Sequence, residues 1–286
     1  MVNVTFAIAL GLGASLCWGT ADFFGGVQSR RLPALAVAIW SQLAGGVALL
    51  VALLAQGERP TLHAVAFGLV AGAFAGSGLL AFYRGLAEGA MSVVSPIAAS
   101  AGVLPVVAAV LGGTPPSPAA LLGIVAALAG VVLVSRTTTA DQHPGGRPGL
   151  MVALALYSAL GFGMYFVLVH AGSQGPGGSP LWAVGAARVG SLLILLAIAA
   201  ARRASLPWPG RRLAALTSVG VLDTGANLLF AYGSIKGNLG VVGVLAALYP
   251  VVTVVLARMV LAERLSFVQS IGVVLALAGV ALLASG

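Results

Sequence analysis

The chain has very few charged residues and only one cysteine. Lys, Arg, Asp and Glu together make up 7% of its 286 residues, whereas a soluble domain carries about 25%. Hydrophobic residues make up 60%, and the mean hydropathy is +1.09. Because burying this much apolar surface requires lipid, the composition predicts an integral membrane protein. With Cys17 alone, an intramolecular disulfide and a cysteine-based metal cluster are excluded.

Acidic residues are the scarcer of the two charge types, with 6 against 14 basic residues. The basic residues stand singly or in pairs at the ends of apolar runs, which is the pattern that orients membrane helices. We therefore expect no nucleic-acid partner. No two of the three histidines have metal-ligand spacing, so we expect neither a metal site nor a cofactor.

Ten apolar runs approach the length of about 20 residues that a helix needs to cross a bilayer. Turn residues or charges separate them. The first run follows no basic segment, so we expect a retained helix rather than a signal peptide, and we place the protein in a bacterial inner (plasma) membrane. The predicted spans are 4–26, 33–55, 63–86, 90–111, 117–135, 149–170, 180–201, 212–235, 239–260 and 265–285.

Two charge-free stretches, 123–135 and 272–285, have nearly the same sequence, GIVAALAGVVLVS and GVVLALAGVALLAS. Each closes one half of the chain, so the halves read as copies. Five spans per half would make the second half enter the membrane from the opposite side. The sequence thus predicts an all-α integral membrane protein of ten transmembrane helices. Two inverted five-helix repeats, 1–135 and 149–286, would be joined by the linker 136–148 around a central cavity.

The basic residues also predict an orientation. All of them except Arg59, Lys236 and Arg188 lie in odd-numbered loops, which is 11 of the 14. Because positive loops face the cytoplasm, this count places the odd loops there and both termini outside.

Ionisable side chains inside a span cost about 2.5–3.5 kcal/mol at the bilayer centre, so we treat them as functional candidates. Asp223 and Asn227 share one face near the middle of the eighth span. Asp223 could bind a substrate amine or a proton, or form an ion pair with an arginine of another helix. Arg188 in the seventh span could meet a carboxylate or phosphate, neutralise Asp223, or snorkel to the surface.

The first span carries a second acidic candidate, Asp22, four residues after Trp18. Trp18 could stack against a substrate or anchor the helix at the membrane interface. Asp22 could contact the substrate, or it could pair with Arg30 or Arg31 at the surface.

Proline interrupts two spans at matching positions of the two halves. A proline inside a span leaves a backbone carbonyl without its hydrogen bond, and paired interruptions point to a central binding site. A packing kink without substrate contact is the alternative. We predict hinges at Pro96, Pro105 and Pro250, and substrate contacts at Ser95 and Tyr249.

The third span combines an aromatic candidate with a row of small residues. Tyr83 lies near its end, and Gly68, Gly72 and Gly76 recur every four residues along one face. We interpret the glycines as a surface for close helix packing. Spans one, three, four, six, eight and nine are expected to line the cavity. Its apolar and stacking walls would come from Trp18, Tyr83, Phe162, Tyr165 and Tyr249.

Across essentially its whole length the chain resembles the EamA-type members of the drug/metabolite transporter superfamily. The matching features are the Trp18-Gly19 pair, the Ala-Leu-Ala-Gly run near the end of each half, the LAERLS segment at 261–266 and the ten spans. The resemblance implies two inverted five-helix bundles around a cavity that moves small metabolites, amino acids or drugs, often outward. Two departures stand out. The first half lacks a Glu-Arg pair before its last span, and the family usually places both termini in the cytoplasm.

We therefore predict a secondary active exporter of a small metabolite, amino acid or drug-like solute that works by alternating access. Its partners would be the solute, the lipid bilayer, and protons or a counter-substrate. The alternatives are an intramembrane enzyme acting on a lipid or peptide, and a membrane scaffold whose interior has no pocket. We expect no enzyme, because the sequence contains no HExxH, GxSxG or phosphate-binding loop. A mid-membrane cavity of several hundred Å³ would favour the transporter.

Overall fold

The structure is a computed structural model that describes residues 4–87, 94, 97–134, 148–261 and 267–285. Over these residues all regular secondary structure is helical, with eleven α-helices and two short 3₁₀ turns at Ser100–Gly102 and Gly210–Arg212. The helices are α1 (Val4–Ser29), α2 (Ala34–Gln56), α3 (Leu62–Ala87), α4 (Val103–Leu111), α5 (Pro118–Val134), α6 (Pro148–Ser173), α7 (Pro180–Ala201), α8 (Leu213–Lys236), α9 (Leu239–Ala246), α10 (Tyr249–Leu261) and α11 (Phe267–Ser285).

Six helices, namely α1, α2, α3, α6, α7 and α8, are long and apolar enough to cross a membrane. Four shorter apolar helices cover Ile97–Leu111, Pro118–Leu133, Leu239–Thr253 and Ser270–Gly279. Each predicted span overlaps one of these ten segments. Only six of the segments are long and apolar enough to cross a membrane. Large apolar side chains point outward on both long and short helices, as they would toward lipid: Leu54, Leu122 and Val274 are 75%, 66% and 68% exposed.

The predicted interruption of the ninth span is confirmed, because two non-helical residues, 247–248, separate α9 from α10. In the first half, the 3₁₀ turn Ser100–Gly102 precedes α4 at the corresponding position. Pro105 and Pro250 then fall in the first turn of α4 and of α10. A first turn tolerates proline because its N–H groups have no intrahelical acceptor.

The last helices of the two halves, α5 and α11, pack antiparallel through glycine. A Cβ atom at Gly130 would lie 2.5 Å from the backbone nitrogen of Ala276, and one at Gly279 would lie 2.6 Å from that of Ala127. At an offset of 149 residues, Gly130 corresponds to Gly279 and Ala127 to Ala276. Each contact is therefore the counterpart of the other with the halves exchanged.

The contacts of the longer helices are likewise equivalent when the two halves are interchanged. In the first half α1 packs against α8, and in the second half its counterpart α6 packs against α3. Likewise α2 packs against α8 as α7 packs against α3. The core thus lies between the halves, and every helix that borders the centre contacts the opposite half.

The glycines of α3 lie in the tightest of these contacts, which confirms their interpretation as a packing surface. A Cβ atom at Gly68 would lie 2.4 Å from the carbonyl oxygen of Ala183, and one at Gly72 would lie 1.9 Å from that of Ala187. Gly76 faces the next turn of α7 in the same way. Any larger side chain on this face would separate α3 from α7.

Candidate functional site

A cavity lies in the centre of the helical assembly, where α1, α2, α3, α6, α7, α8 and the start of α10 meet. Two charged residues that line it lie near the middle of their helices. Asp223 is the eleventh of the 24 residues of α8, and Arg188 is the ninth of the 22 residues of α7. We did not expect α2 and α7 to line it. Residues 94 and 97–111, the described part of the fourth predicted span, contribute none of its lining.

The volume of this cavity that a water-sized sphere can reach is about 70 Å³. Pockets that hold small ligands measure about 300–1,000 Å³. The cavity is therefore smaller than the several hundred Å³ that we expected, and it has room for a few water molecules. A metabolite would fit only after the surrounding side chains or helices had moved apart.

A buried arginine organises one wall. Nη1 of Arg188 donates to Oδ2 of Asp223 at 2.7 Å and to Oε1 of Gln42 at 2.5 Å, and Nη2 donates to the hydroxyl of Thr224 at 2.8 Å. Arg188 is 7% exposed and Asp223 is 22% exposed. One guanidinium therefore joins α2, α7 and α8, and Arg188 does not snorkel to the surface.

The carboxylate of Asp223 is occupied on both oxygens. Oδ2 accepts from Arg188, and Oδ1 accepts from the indole Nε1 of Trp18 on α1 at 3.1 Å. The side-chain amide of Asn227 donates to the backbone oxygen of Asp223 and not to its carboxylate. Of the alternatives for Asp223 and Arg188, this geometry corresponds to the internal ion pair.

Asp22 also lines the cavity, and its carboxylate stands without a protein partner in the part of the chain that the structure describes. The same residues contain one ion pair, that of Arg188 with Asp223. Asp22 therefore does not pair with Arg30 or Arg31. No group of three His, Cys, Asp or Glu within the described ranges is placed to hold a metal ion.

Aromatic rings form much of the remaining wall. Trp18, Phe162, Tyr165 and Tyr249 line the cavity, and so does Phe166, which we did not predict. The ring centroids of Trp18 and Phe166 are 5.4 Å apart. The hydroxyl oxygens of Tyr165 and Tyr249 are buried and have no hydrogen-bond partner, although a buried hydroxyl normally has one.

Other expected residues lie elsewhere. Tyr83 does not line the cavity, because its side chain is buried between helices with its hydroxyl beside Gly25 of α1. Ser95 and Pro96 lie outside the described residues. The prediction did not include Gln42, although it is a polar residue inside the second span and meets the criterion that identified Asp223.

The two ends of the assembly are held together differently. At one end the α2–α3 loop meets the start of α7, where Ser179 donates to Oε2 of Glu58 at 2.8 Å and Trp182 Nε1 donates to the Glu58 carbonyl at 3.0 Å. At the other end, Trp40 Nε1 donates to the carbonyl of Pro207 at 3.1 Å. Both contacts join one half of the chain to the other.

Comparison with known proteins adds a family and a fold. The model of the EamA-like transporter family matches residues 5–136 and again residues 149–285. No curated protein matches the chain. A crystal structure titled only as that of a protein matches with a TM-score of 0.78 and 20% identity, over 96% of this chain and 95% of the other. At this identity the likeness concerns the fold alone.

Proposed function

The chain belongs to the EamA-like transporter family, and we propose that it is a secondary active transporter that moves a small solute through the central cavity. It is an integral membrane protein of the drug/metabolite transporter type. The observation that carries the proposal is the cavity, because charged and aromatic side chains from both halves surround it near the middle of the helices. Polar groups at this depth are costly, and those that occur there usually mark a pathway or a site.

We propose that the halves are two inverted five-helix repeats with ten spans, 1–135 and 149–286, joined by the linker 136–148. Three observations support this arrangement. The family model matches each half separately, the helix contacts exchange between the halves, and α5 and α11 run antiparallel. A two-fold axis perpendicular to the helices would relate such an antiparallel pair, and in the proposed arrangement it would lie in the membrane plane.

Alternating access would then open one end while the other stays closed. We propose that the contact between Glu58 and Ser179 closes one end and that the contact between Trp40 and Pro207 closes the other. Because the cavity is now too small for a metabolite, we propose that opening of either end enlarges it. Pro96, Pro105 and Pro250 remain our predicted hinges.

Direction and coupling are part of the proposal. We propose outward transport, after the family resemblance, in a bacterial inner membrane. Protons or a counter-substrate would drive it. If Asp223 takes up a proton during the cycle, its ion pair with Arg188 must open, so transport should follow the proton gradient. Asp223→Asn that transports at the wild-type rate and with the wild-type pH profile in liposomes would exclude this coupling.

Filling the cavity tests the transport site itself. Ala75 lines the cavity, and Val47 is 65% exposed on the outer face of α2. Solutes found by a thermal-shift screen of the purified protein would be measured for flux into proteoliposomes. We expect Ala75→Phe to abolish saturable flux and Val47→Phe, which adds the same ring toward lipid, to preserve it. Equal flux through both variants would refute a central pathway.

A further inference from the structure

The charges that line the cavity do not cancel. Three charged side chains line it, the acidic Asp22 and Asp223 and the basic Arg188. Arg188 is neutralised by Asp223 at 2.7 Å, and Gln42 and Thr224 accept from its guanidinium as well. Asp22 therefore leaves the cavity with a formal charge of −1.

Of these three groups, Asp22 alone has no bond to another described residue and is free to bind a ligand. Both carboxylate oxygens of Asp223 already accept hydrogen bonds, one from Trp18 and one from Arg188. Asp22 has no hydrogen bond or ion pair within the described residues. A carboxylate away from bulk water requires a compensating charge or proton, so a bound cationic group and an added proton are the two ways to complete this site.

Two residues that line the cavity carry hydroxyls without partners. The hydroxyls of Tyr165 and Tyr249 are buried without hydrogen-bond partners, and these residues are 5% and 4% exposed. Tyr249 and Asp22 both line this cavity. A ligand nitrogen that carries several N–H donors could bind the carboxylate of Asp22 and donate to the Tyr249 oxygen at the same time.

The ring walls favour the same ligand. Trp18, Phe162 and Phe166 present aromatic surface, and the faces of such rings attract ammonium groups and stack on other rings. An anion would instead meet the free carboxylate of Asp22, and the guanidinium it would need is already occupied.

We propose that the solute is an amphipathic organic monocation, a primary amine with an aromatic or apolar body and no carboxylate. Its ammonium group binds Asp22 and Tyr249, and its body lies among the aromatic rings. The inference rests on the proposed function and assigns its substrate class.

A charge series with one ring tests the class without any variant. Phenethylamine, phenylalanine, 3-phenylpropionate and phenethyl alcohol differ in charge but share the phenyl group. Binding to the purified protein would be measured by calorimetry and thermal shift. We expect the amine to bind at least about tenfold more tightly than the others, since the acid and the alcohol lack the ammonium group and Asp22 repels the carboxylate of phenylalanine. Tighter binding of the zwitterion or the anion, or no binding of the amine, would overturn the proposal.

Asp22→Asn then tests the residue. It should weaken phenethylamine binding about tenfold or more and leave phenethyl alcohol binding unchanged. Tyr249→Phe serves as the second variant, and it should weaken the amine several-fold. Wild-type affinity of Asp22→Asn for the amine would refute the role of Asp22.

A separate measurement keeps the two proposals distinct. If saturable flux of a zwitterion or an anion is abolished by Ala75→Phe, the transport function stands and the amine assignment fails. If the amine binds but no solute is transported, the assignment of the site stands and the transport function fails.

Discussion

Asp223→Asn should destabilise the protein much more than the same change at Asp22. The variant keeps the shape of the side chain but removes the charge that balances Arg188, which is 7% exposed. Removing one partner of a buried ion pair typically costs about 3–5 kcal/mol. Because Asp223 is 22% exposed, we expect about 2–3 kcal/mol, at or below the lower end of that range. Asp22→Asn removes a carboxylate that has no ion pair, so we expect no loss of stability.

The double variant Arg188→Met with Asp223→Asn isolates the pair. It removes both charges, so we expect it to lose no more stability than either single variant, since a buried pair can often be replaced without net cost. The free energy of unfolding would be measured by reversible titration with SDS in mixed micelles. Equal losses in Asp22→Asn and Asp223→Asn, or a double variant whose loss equals the sum of the single losses, would refute the reasoning.

Two further predictions concern single contacts. Tyr249→Phe should leave the thermal midpoint unchanged or slightly raised, because the hydroxyl it removes has no partner; a loss of more than about 1 kcal/mol would reveal a bond that the structure does not contain. Gly72→Val should cost about 3 kcal/mol or more, because its Cβ would meet the Ala187 carbonyl at 1.9 Å. Gly149→Val, which has open space around it, is the control, and similar melting of both variants would contradict the packing of α3 on α7.

The positions of the helices could be predicted from sequence because hydrophobic length and turn residues determine them locally. The predicted span 180–201 coincides with Pro180–Ala201, and 33–55 differs from Ala34–Gln56 by one residue at each end. The interruption before Tyr249 was also predictable, because proline cannot continue a hydrogen-bonded turn. The length of the short helices was harder to predict, since apolar composition continues through the break.

The site was only partly predictable. Asp223 and Arg188 stood out because charges inside spans are rare, and the structure joins them as an ion pair, which was one of the alternatives proposed. Sequence could not show which side chains complete the bonds of Arg188, because Gln42 lies 146 residues away. Tyr83 is a different case. An aromatic residue near a span end fits a cavity wall and a packed helix contact equally well, and only the neighbouring helix decides between them.

The network around the cavity is uneven, and this predicts which seam opens. Separating α7 from α8 breaks the ion pair of Arg188 and Asp223, whereas separating α1 from α8 near the cavity breaks the 3.1 Å bond from Trp18 to Asp223. A charged hydrogen-bonded pair is the stronger of the two. At the same depth α1 is held to α10, because Thr253 donates to the Gly19 carbonyl at 3.1 Å. We therefore expect α1 and α10 to move together. This movement would carry Asp22 on α1 away from Arg188 on α7.

Distances between spin labels can test this movement. Leu16 on α1, Val221 on α8 and Leu193 on α7 are exposed on the outer surface, and Cys17→Ser would remove the native thiol. On addition of phenethylamine, the distance from Leu16 to Val221 should broaden or change, while the distance from Leu193 to Val221 stays fixed. A change in the distance from Leu193 to Val221 without a change from Leu16 to Val221 would contradict the prediction. In that case α7 separates from α8 at the ion pair, and Asp22 on α1 stays in place.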